Sequence, residues 1–273
     1  MCAINGIIRF DGSPVDAASV TAMRDVMVHR GPDFGGLWVN RNAGLGHRRL
    51  RIIDLSPAGN QPMSNEDGSV QVVFNGEIYN FHELRAQLGG HKFNSRSDTE
   101  VIVHGYEEWG EKIFAKLDGM FAIAIWDERK QTLLLARDRW GKKPLFHYVS
   151  GGEVLFASDI KAIWEQKSAS LTLNYAAIDC YLHHLSPTQE HCTFNEVAKV
   201  KPAHYEVFTR DAHRVERYWQ PTFAQKENLS ETEALEKLDT LLRAAVKRRL
   251  VSDVPLGAFL SGGVDSSVVV ALM

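Results

Sequence analysis

The sequence predicts an α+β fold in which two sheets are stacked between layers of helix, followed by the beginning of a second unit of α/β type. Three observations lead there. Short apolar runs alternate with Gly, Asp and Asn turns through the first two thirds of the chain. Several of those runs are apolar at consecutive positions, as strands covered on both faces require. After Trp219 the texture changes to a polar stretch and then to a long amphipathic pattern.

In chain order, strands are expected at Ala3 to Phe10, Val70 to Phe74, Met120 to Asp127, Thr132 to Asp138, Leu145 to Val149 and Val154 to Ser158. A helix is expected from Asp16 to Val28. Asn80-x-x-Glu83 and Ser97-x-x-Glu100 read as capping boxes, which place helices at Phe81 to Leu88 and Thr99 to Trp109. These helices would cover the sheets, and a sandwich of two sheets between helix layers meets that demand with short connections. Residues 2–219 form this first domain. Residues 220–229 are polar, contain Pro221 and read as a linker. Ser230-Glu231-Thr232-Glu233 then caps a helix whose apolar stripe runs through Leu235, Leu238, Leu242 and Val246. A buried strand at Val254 to Leu260, a Ser/Gly loop from Ser261 and a helix from Ser267 to Met273 open a second domain, residues 230–273, that the chain is expected to leave incomplete.

Bulk properties limit the function classes. With 273 residues, 44% of them hydrophobic, the chain buries one large core or two ordinary ones. A net charge of −3 leaves no surplus of positive charge for nucleic acid or an anionic membrane. Cys2, Cys180 and Cys192 are too few and too scattered for a zinc site or a disulfide scaffold, and fit a reducing cytoplasm. No basic segment followed by a long apolar stretch opens the chain, so neither an export signal nor a membrane span is expected.

Cys2 is the first chemical feature. Behind a removable methionine, its thiol and its own α-amino group, with a reference pKa of about 8, would form nucleophile and base on one residue. Alone, such a cysteine is weak evidence and reads as an ordinary buried thiol at a strand edge. Its company changes that reading: His29-Arg30-Gly31-Pro32-Asp33, His47-Arg48-Arg49-Leu50, Asn75-Gly76-Glu77-Ile78-Tyr79-Asn80 and Ser97-Asp98-Thr99-Glu100. In this set and order the sequence resembles the class II glutamine amidotransferases, and within them the asparagine synthetases, over nearly the whole chain.

The resemblance implies a four-layer αββα N-terminal-nucleophile sandwich with Cys2 attacking the glutamine side-chain amide. Asn75 and Gly76 would form the oxyanion hole, where losing one donor costs about 3–4 kcal/mol of transition-state stabilisation. Arg49 would clamp the α-carboxylate with its guanidinium fork. Asp98 would hold the α-ammonium with help from Glu77, and Leu50, Ile52 and Ile53 would complete the glutamine pocket. The residues alone also allow blander readings, with Asp98 as a helix-capping carboxylate and Asn75-Gly76 as a hairpin turn. Arg30 to Asp33 resembles the loop beside the nucleophile. His29 and His47 are expected to be structural, because a terminal amine makes a histidine base unnecessary.

The second feature is Ser261-Gly262-Gly263-Val264-Asp265-Ser266-Ser267, placed between an apolar run and a helix. Glycines, hydroxyls and a helix N-terminus suit an anion. The pattern is not that of a Walker loop and instead resembles the pyrophosphate loop of ATP pyrophosphatases. That implies ATP and Mg²⁺ as cofactors, with Asp265 toward the metal and Leu260 near the nucleotide. A complete family member would make asparagine, glutamate, AMP and pyrophosphate from L-glutamine, L-aspartate and ATP. This chain is expected to carry only the glutaminase step. Members are often dimers, which allows a homodimer here.

The third feature, Arg137-Asp138-Arg139-Trp140-Gly141-Lys142-Lys143-Pro144-Leu145, mixes basic residues with tryptophan, but one short patch in an acidic chain is thin support for nucleic acid. The resemblance places it near the junction of the two domains. Pro202-Ala203-His204 departs from relatives that often carry glycine in the middle. Amide transfer to another carboxylate, or a non-catalytic binding module, are the alternative readings.

Overall fold

The computed structural model describes residues 1–166, 169–186 and 191–273. The chain runs β1 (Ala3–Arg9), α1 (Ala17–Asp25), β2 (Phe34–Asn40), β3 (Ala43–Arg49), β4 (Met63–Ser64) and β5 (Val70–Ile78), then α2 (Phe81–Gln87), α3 (Glu100–Trp109) and α4 (Ile113–Lys116). It continues through β6 (Gly119–Asp127), β7 (Thr132–Arg137), β8 (Phe146–Ser150), β9 (Glu153–Ala157), α5 (Ile160–Trp164), α6 (Tyr175–His184), β10 (Val197–Lys199), β11 (His204–Phe208) and β12 (His213–Arg217). The helices α7 (Glu231–Arg248) and α8 (Val264–Leu272) follow.

Two antiparallel sheets result, in the orders β10-β8-β9-β1-β3-β2 and β12-β11-β7-β6-β5-β4. Strand β6 explains the stacking. Its alternate residues Ala122, Ala124 and Trp126 face the other sheet, where Ile4, Ile8, Leu45 and Phe156 meet them. Phe121, Ile123 and Ile125 point the opposite way, into a layer with Val101, Ile102, Phe114 and Leu84 from the helices α2 to α4. On the far side, Ala3 and Ile7 of β1 pack with Val20 and Met23 of α1 and Ile163 of α5. A run that is apolar at every position is thus a strand with both faces buried, as expected.

Sequence patterning missed β2 and β3, because four of their positions are Gly35, Gly36, Gly44 and Gly46. Close approach explains two of these. A Cβ on Gly36 would lie 1.7 Å from the Gln61 carbonyl oxygen, and one on Gly46 would lie 2.4 Å from Asn5 Oδ1. The missing side chains let a neighbouring loop and strand lie directly on the backbone.

Two capping boxes were misread. The Asn80 side chain does not cap α2; it accepts from the Asp118 N–H and donates to the Lys116 carbonyl, tying the β5–α2 turn to the start of β6. Glu100 accepts from the N–H groups of Asn94 and Ser95, which brace the preceding loop rather than the helix. The capping box of α7 does form, with Ser230 and Glu233 satisfying each other's backbone N–H. The expected strand at Val254 to Leu260 is absent: the segment is irregular and Phe259 is fully exposed. Among the described residues no strand lies beside it to pair its N–H and C=O groups.

Candidate active site

The N-terminus of β1, the C-terminus of β3 and the second half of β5 surround a cavity of about 210 Å³. That is below the ~300–1,000 Å³ of pockets for drug-sized ligands, and suits one small polar molecule. Cys2, Arg49, Asn75, Gly76, Glu77 and Asp98 all line it, as do Leu50, Ile52 and Ile53.

Cys2 precedes β1, with Sγ against the Leu50 peptide: the Leu50 N–H donates to it at 3.4 Å and the Leu50 carbonyl lies 3.6 Å away. Burial pushes the thiol above its usual range, and the Leu50 hydrogen bond pulls the other way. Met1 also lines the cavity, and burial lowers its terminal amine below the ordinary value. Removal of Met1 would open the mouth and leave a new amine on the residue that carries the thiol.

Asn75 and Gly76 lie inside β5, opposite Ala122 and Phe121, so the hairpin-turn reading does not hold. Asn75 is 1% exposed and its Nδ2 has no hydrogen-bond partner. A buried, unpaired amide donor beside a thiol is what an anionic intermediate requires. Glycine is obligatory at 76, where a Cβ would meet the Met120 carbonyl oxygen at 2.0 Å.

Asp98 does not cap α3. Its Oδ2 accepts from the Ile78 N–H at 2.9 Å, and burial, reinforced by the charge of Glu77, pushes its pKa up to about 7. Glu77 is itself raised by burial. A buried and a half-buried carboxylate, both with raised pKa values, mark a place for a cation.

Arg49 departs from a simple clamp. One Nη donates to the Ser56 carbonyl at 2.9 Å and to Asn60 Oδ1 at 2.7 Å, and the other to the Ile53 and Asp54 carbonyls. All four Nη hydrogens serve the loop 50–60. A bidentate carboxylate therefore has to displace part of that loop's bonding.

Lys143 went unassigned in the sequence, yet it lines the cavity, 6% exposed, its ammonium lowered by burial and facing Glu77 and Cys2. The turn that delivers it is wound on two side chains. Arg137 donates to the carbonyls of Gly141, Lys143 and Val200, and Asp138 accepts from the N–H groups of Phe121, Trp140, Lys142 and Lys143. Gly141 at φ +63° makes the turn possible. The adjacent Lys142 is exposed and borders a separate apolar cleft with Val246, Leu256 and Met273.

Arg30 Nε donates to the Cys2 carbonyl at 3.3 Å, which sets its loop beside the thiol. His29 is exposed. His47 is buried between the sheets, 3.2 Å from the Phe74 carbonyl, and burial lowers its pKa to about 3, so it stays neutral and structural.

A model of the glutamine amidotransferase domain matches residues 1–219. The chain belongs to that family. An asparagine synthase model matches residues 237–273. Asparagine synthetase [glutamine-hydrolyzing] 3 of Bacillus subtilis is 36% identical over 279 residues, covering 100% of this chain and 45% of the relative. Amidase chry2 of Gibberella zeae is 39% identical over 294 residues, covering 100% of this chain and 43% of the relative. The chain thus spans less than half the length of either relative. Among solved structures, glutamine phosphoribosylpyrophosphate (PRPP) amidotransferase from B. subtilis complexed with ADP and GMP aligns over 99% of this chain and 63% of its own, with a TM-score of 0.59 at 17% identity. That likeness shows the amidotransferase fold. The cavity of this amidotransferase domain lies between its two sheets, and no helix among the described residues is long and apolar enough to cross a membrane.

The second segment is built differently. Ser261–Ser267 is the exposed N-terminus of α8, with Gly262 at φ +84°. Ser266 and Ser267 spend their hydroxyls on the Gly263 carbonyl. Leu260 and Asp265 stand in solvent. This is an open helix end without walls, and the described residues do not by themselves enclose a nucleotide or Mg²⁺. The segment does touch the cavity's loop: the Asp253 N–H donates to the Ile52 carbonyl at 2.9 Å, and Asp253 Oδ2 accepts from the Asp54 N–H at 2.7 Å.

Proposed function

We propose that this chain hydrolyses L-glutamine through Cys2 after removal of Met1, and that it serves a longer ATP-dependent synthetase that makes asparagine from L-aspartate. The observation that carries the first part is the unpaired, buried Asn75 amide in the same cavity as the Cys2 thiol. In the proposed reaction the α-amine takes the thiol proton, and the thiolate adds to the side-chain carbonyl of glutamine. Asn75 Nδ2 and the Gly76 N–H face the oxyanion. The C–N bond breaks as the ammonium returns its proton to the departing ammonia. Water then hydrolyses the thioester, giving glutamate and the free thiol. Asp98 and Glu77 hold the substrate ammonium, and Lys143 lends positive charge to the thiolate.

Asparagine as product is supported by the asparagine synthase match at residues 237–273 and the relatives named for that activity. ATP supplies the activation of the acceptor carboxylate, and Ser261–Ser267 with Asp265 would meet its phosphates and Mg²⁺ only once further chain encloses them.

The test is to treat the protein with an electrophilic glutamine analogue and weigh the product. One adduct on Cys2, on a chain lacking Met1, and glutamate release that saturates with glutamine are expected. A chain that is unlabelled and inactive with Met1 already removed overturns the glutaminase reading. Labelled asparagine from amide-labelled glutamine, aspartate and ATP in the longer protein tests the acceptor separately.

A further inference from the structure

On the outer side of the second sheet, away from the cavity, four side chains converge from three stretches of chain. Glu66 comes from the turn between β4 and β5, His91 from the loop after α2, and His104 and Glu107 from successive turns of α3. One nitrogen or oxygen from each lies within 4.8 Å of all the others. Both imidazoles turn Nδ1 to the same two carboxylates. His91 Nδ1 lies 3.4 Å from Glu66 Oε1 and 3.7 Å from Glu107 Oε2, and His104 Nδ1 lies 3.6 Å from Glu66 Oε2 and 3.2 Å from Glu107 Oε2.

These separations are long for charge-assisted hydrogen bonds, which close to about 2.7–2.9 Å. Four ligands at about 2.0–2.1 Å in a tetrahedron stand about 3.3–3.4 Å apart, so the four groups, whose ligand atoms lie within 4.8 Å of one another, need only draw in to close on one small cation. The residues behind the four are arranged to hold them there. Glu107 Oε1 accepts from Asn65 Nδ2 at 2.7 Å, which leaves Oε2 facing both histidines. Glu66 Oε1 accepts from the Lys92 N–H at 3.1 Å. The His91 and His104 rings stack with centroids 4.6 Å apart, which fixes both orientations. His104 is 1% exposed, and its other nitrogen, Nε2, makes no hydrogen bond and stands 3.7 Å from Glu100 Oε1. A cation on Nδ1 would put the ring proton on Nε2, toward that carboxylate, the usual support behind a metal-bound histidine.

We propose that Glu66, His91, His104 and Glu107 form a tetrahedral divalent-cation site that takes zinc. Two imidazoles and two carboxylates suit zinc, whereas Mg²⁺ and Ca²⁺ prefer oxygen ligands throughout. The two carboxylates balance the charge of the ion. With four protein ligands the site is closed, and its role is structural: it ties two loops to α3. That helix begins at Glu100, two residues after Asp98, so the cation steadies the segment that brings Asp98 to the cavity.

The experiment uses the protein stripped with a chelator and titrated with zinc by calorimetry, with bound metal counted by mass spectrometry. A Cys2→Ala background removes a competing thiol. One zinc per chain is expected, with His91→Ala and Glu107→Gln each weakening it at least about tenfold. Cobalt should give the visible bands of a tetrahedral site without thiolate charge transfer. Zinc at a hundredfold excess over its Kd should raise Tm by roughly 5 °C, and should not do so in a variant carrying both His91→Ala and Glu107→Gln. Circular dichroism checks that each variant folds, and Glu107→Gln carries the test if His91→Ala does not. No saturable binding, equal affinity in wild type and a folded variant, or a thiolate signature with cobalt overturns the proposal.

Discussion

The cavity around Cys2 and the loop at Ser261–Ser267 hold similar chemistry, since each offers glycine backbone and polar side-chain donors to an anion. Their environments are opposite. Asn75 and Asp98 are 1% and 4% exposed and their partners come from distant strands and loops, whereas Phe259 and Val264 beside the second loop are 102% and 79% exposed. In the first, desolvation leaves Asn75 Nδ2 unpaired and raises Asp98 to about 7. In the second, the hydroxyls turn back onto the helix's own backbone. Donors become a site when the surrounding fold excludes water and denies them internal partners.

The largest effect expected from this contrast is at the thiol. Cys2→Ala should abolish glutamate release while circular dichroism and Tm stay unchanged; wild-type turnover in that variant would break the comparison at its centre. Next, Asn75→Ala should lower kcat about 10²–10³-fold, as for other oxyanion donors, with KM little altered. A loss confined to KM would make Asn75 a binding group instead.

Asp98→Asn should raise KM for glutamine and stabilise the fold. Between the ordinary 3.8 and about 7 the folded chain keeps a proton that the unfolded chain has released. The contribution is full below the lower value and lost as pH rises through the upper one. Urea titrations at pH 8 should therefore find the amide more stable by about 1–2 kcal/mol. In the wild type kcat/KM should fall about tenfold per unit below pH 7, and a flat profile there would show that Asp98 does not hold the substrate ammonium as a carboxylate.

Ala203 gives a smaller test in the same domain. It sits at φ +60° and is buried. Ala203→Gly should relieve left-handed strain and add up to about 1 kcal/mol, read as a modest rise in the denaturation midpoint. Smallest of all, Leu241→Ser on the exposed face of α7 should leave glutaminase activity within about twofold, as surface changes do. A large loss would show that α7 supports the cavity directly.

Much of the sandwich was legible because strands buried on both faces announce themselves as unbroken apolar runs, as Met120 to Asp127 does. Strands β2 and β3 were not, since Gly35, Gly36, Gly44 and Gly46 erase the period that pattern reading depends on. The motifs around Cys2 were readable from resemblance, but two details were not. Arg49 gives its fork to loop carbonyls, and Lys143 enters the cavity while its neighbour Lys142 stays exposed. Both follow from turns wound around side chains distant in sequence. The strand expected at Val254 to Leu260 failed for the converse reason, because apolar composition makes a strand only where another strand is there to pair with it.

By itself the sequence determined which segments are apolar, where the capping and glycine signals fall, and which residue types are available for chemistry, because those depend on neighbours within a few positions. The tertiary structure alone decided that Asp98 lies in low dielectric, that Asn75 lacks a partner, and that Glu66, His91, His104 and Glu107 meet. Burial and long-range hydrogen bonding depend on residues tens of positions apart, and it is these that set pKa values and leave donors unpaired.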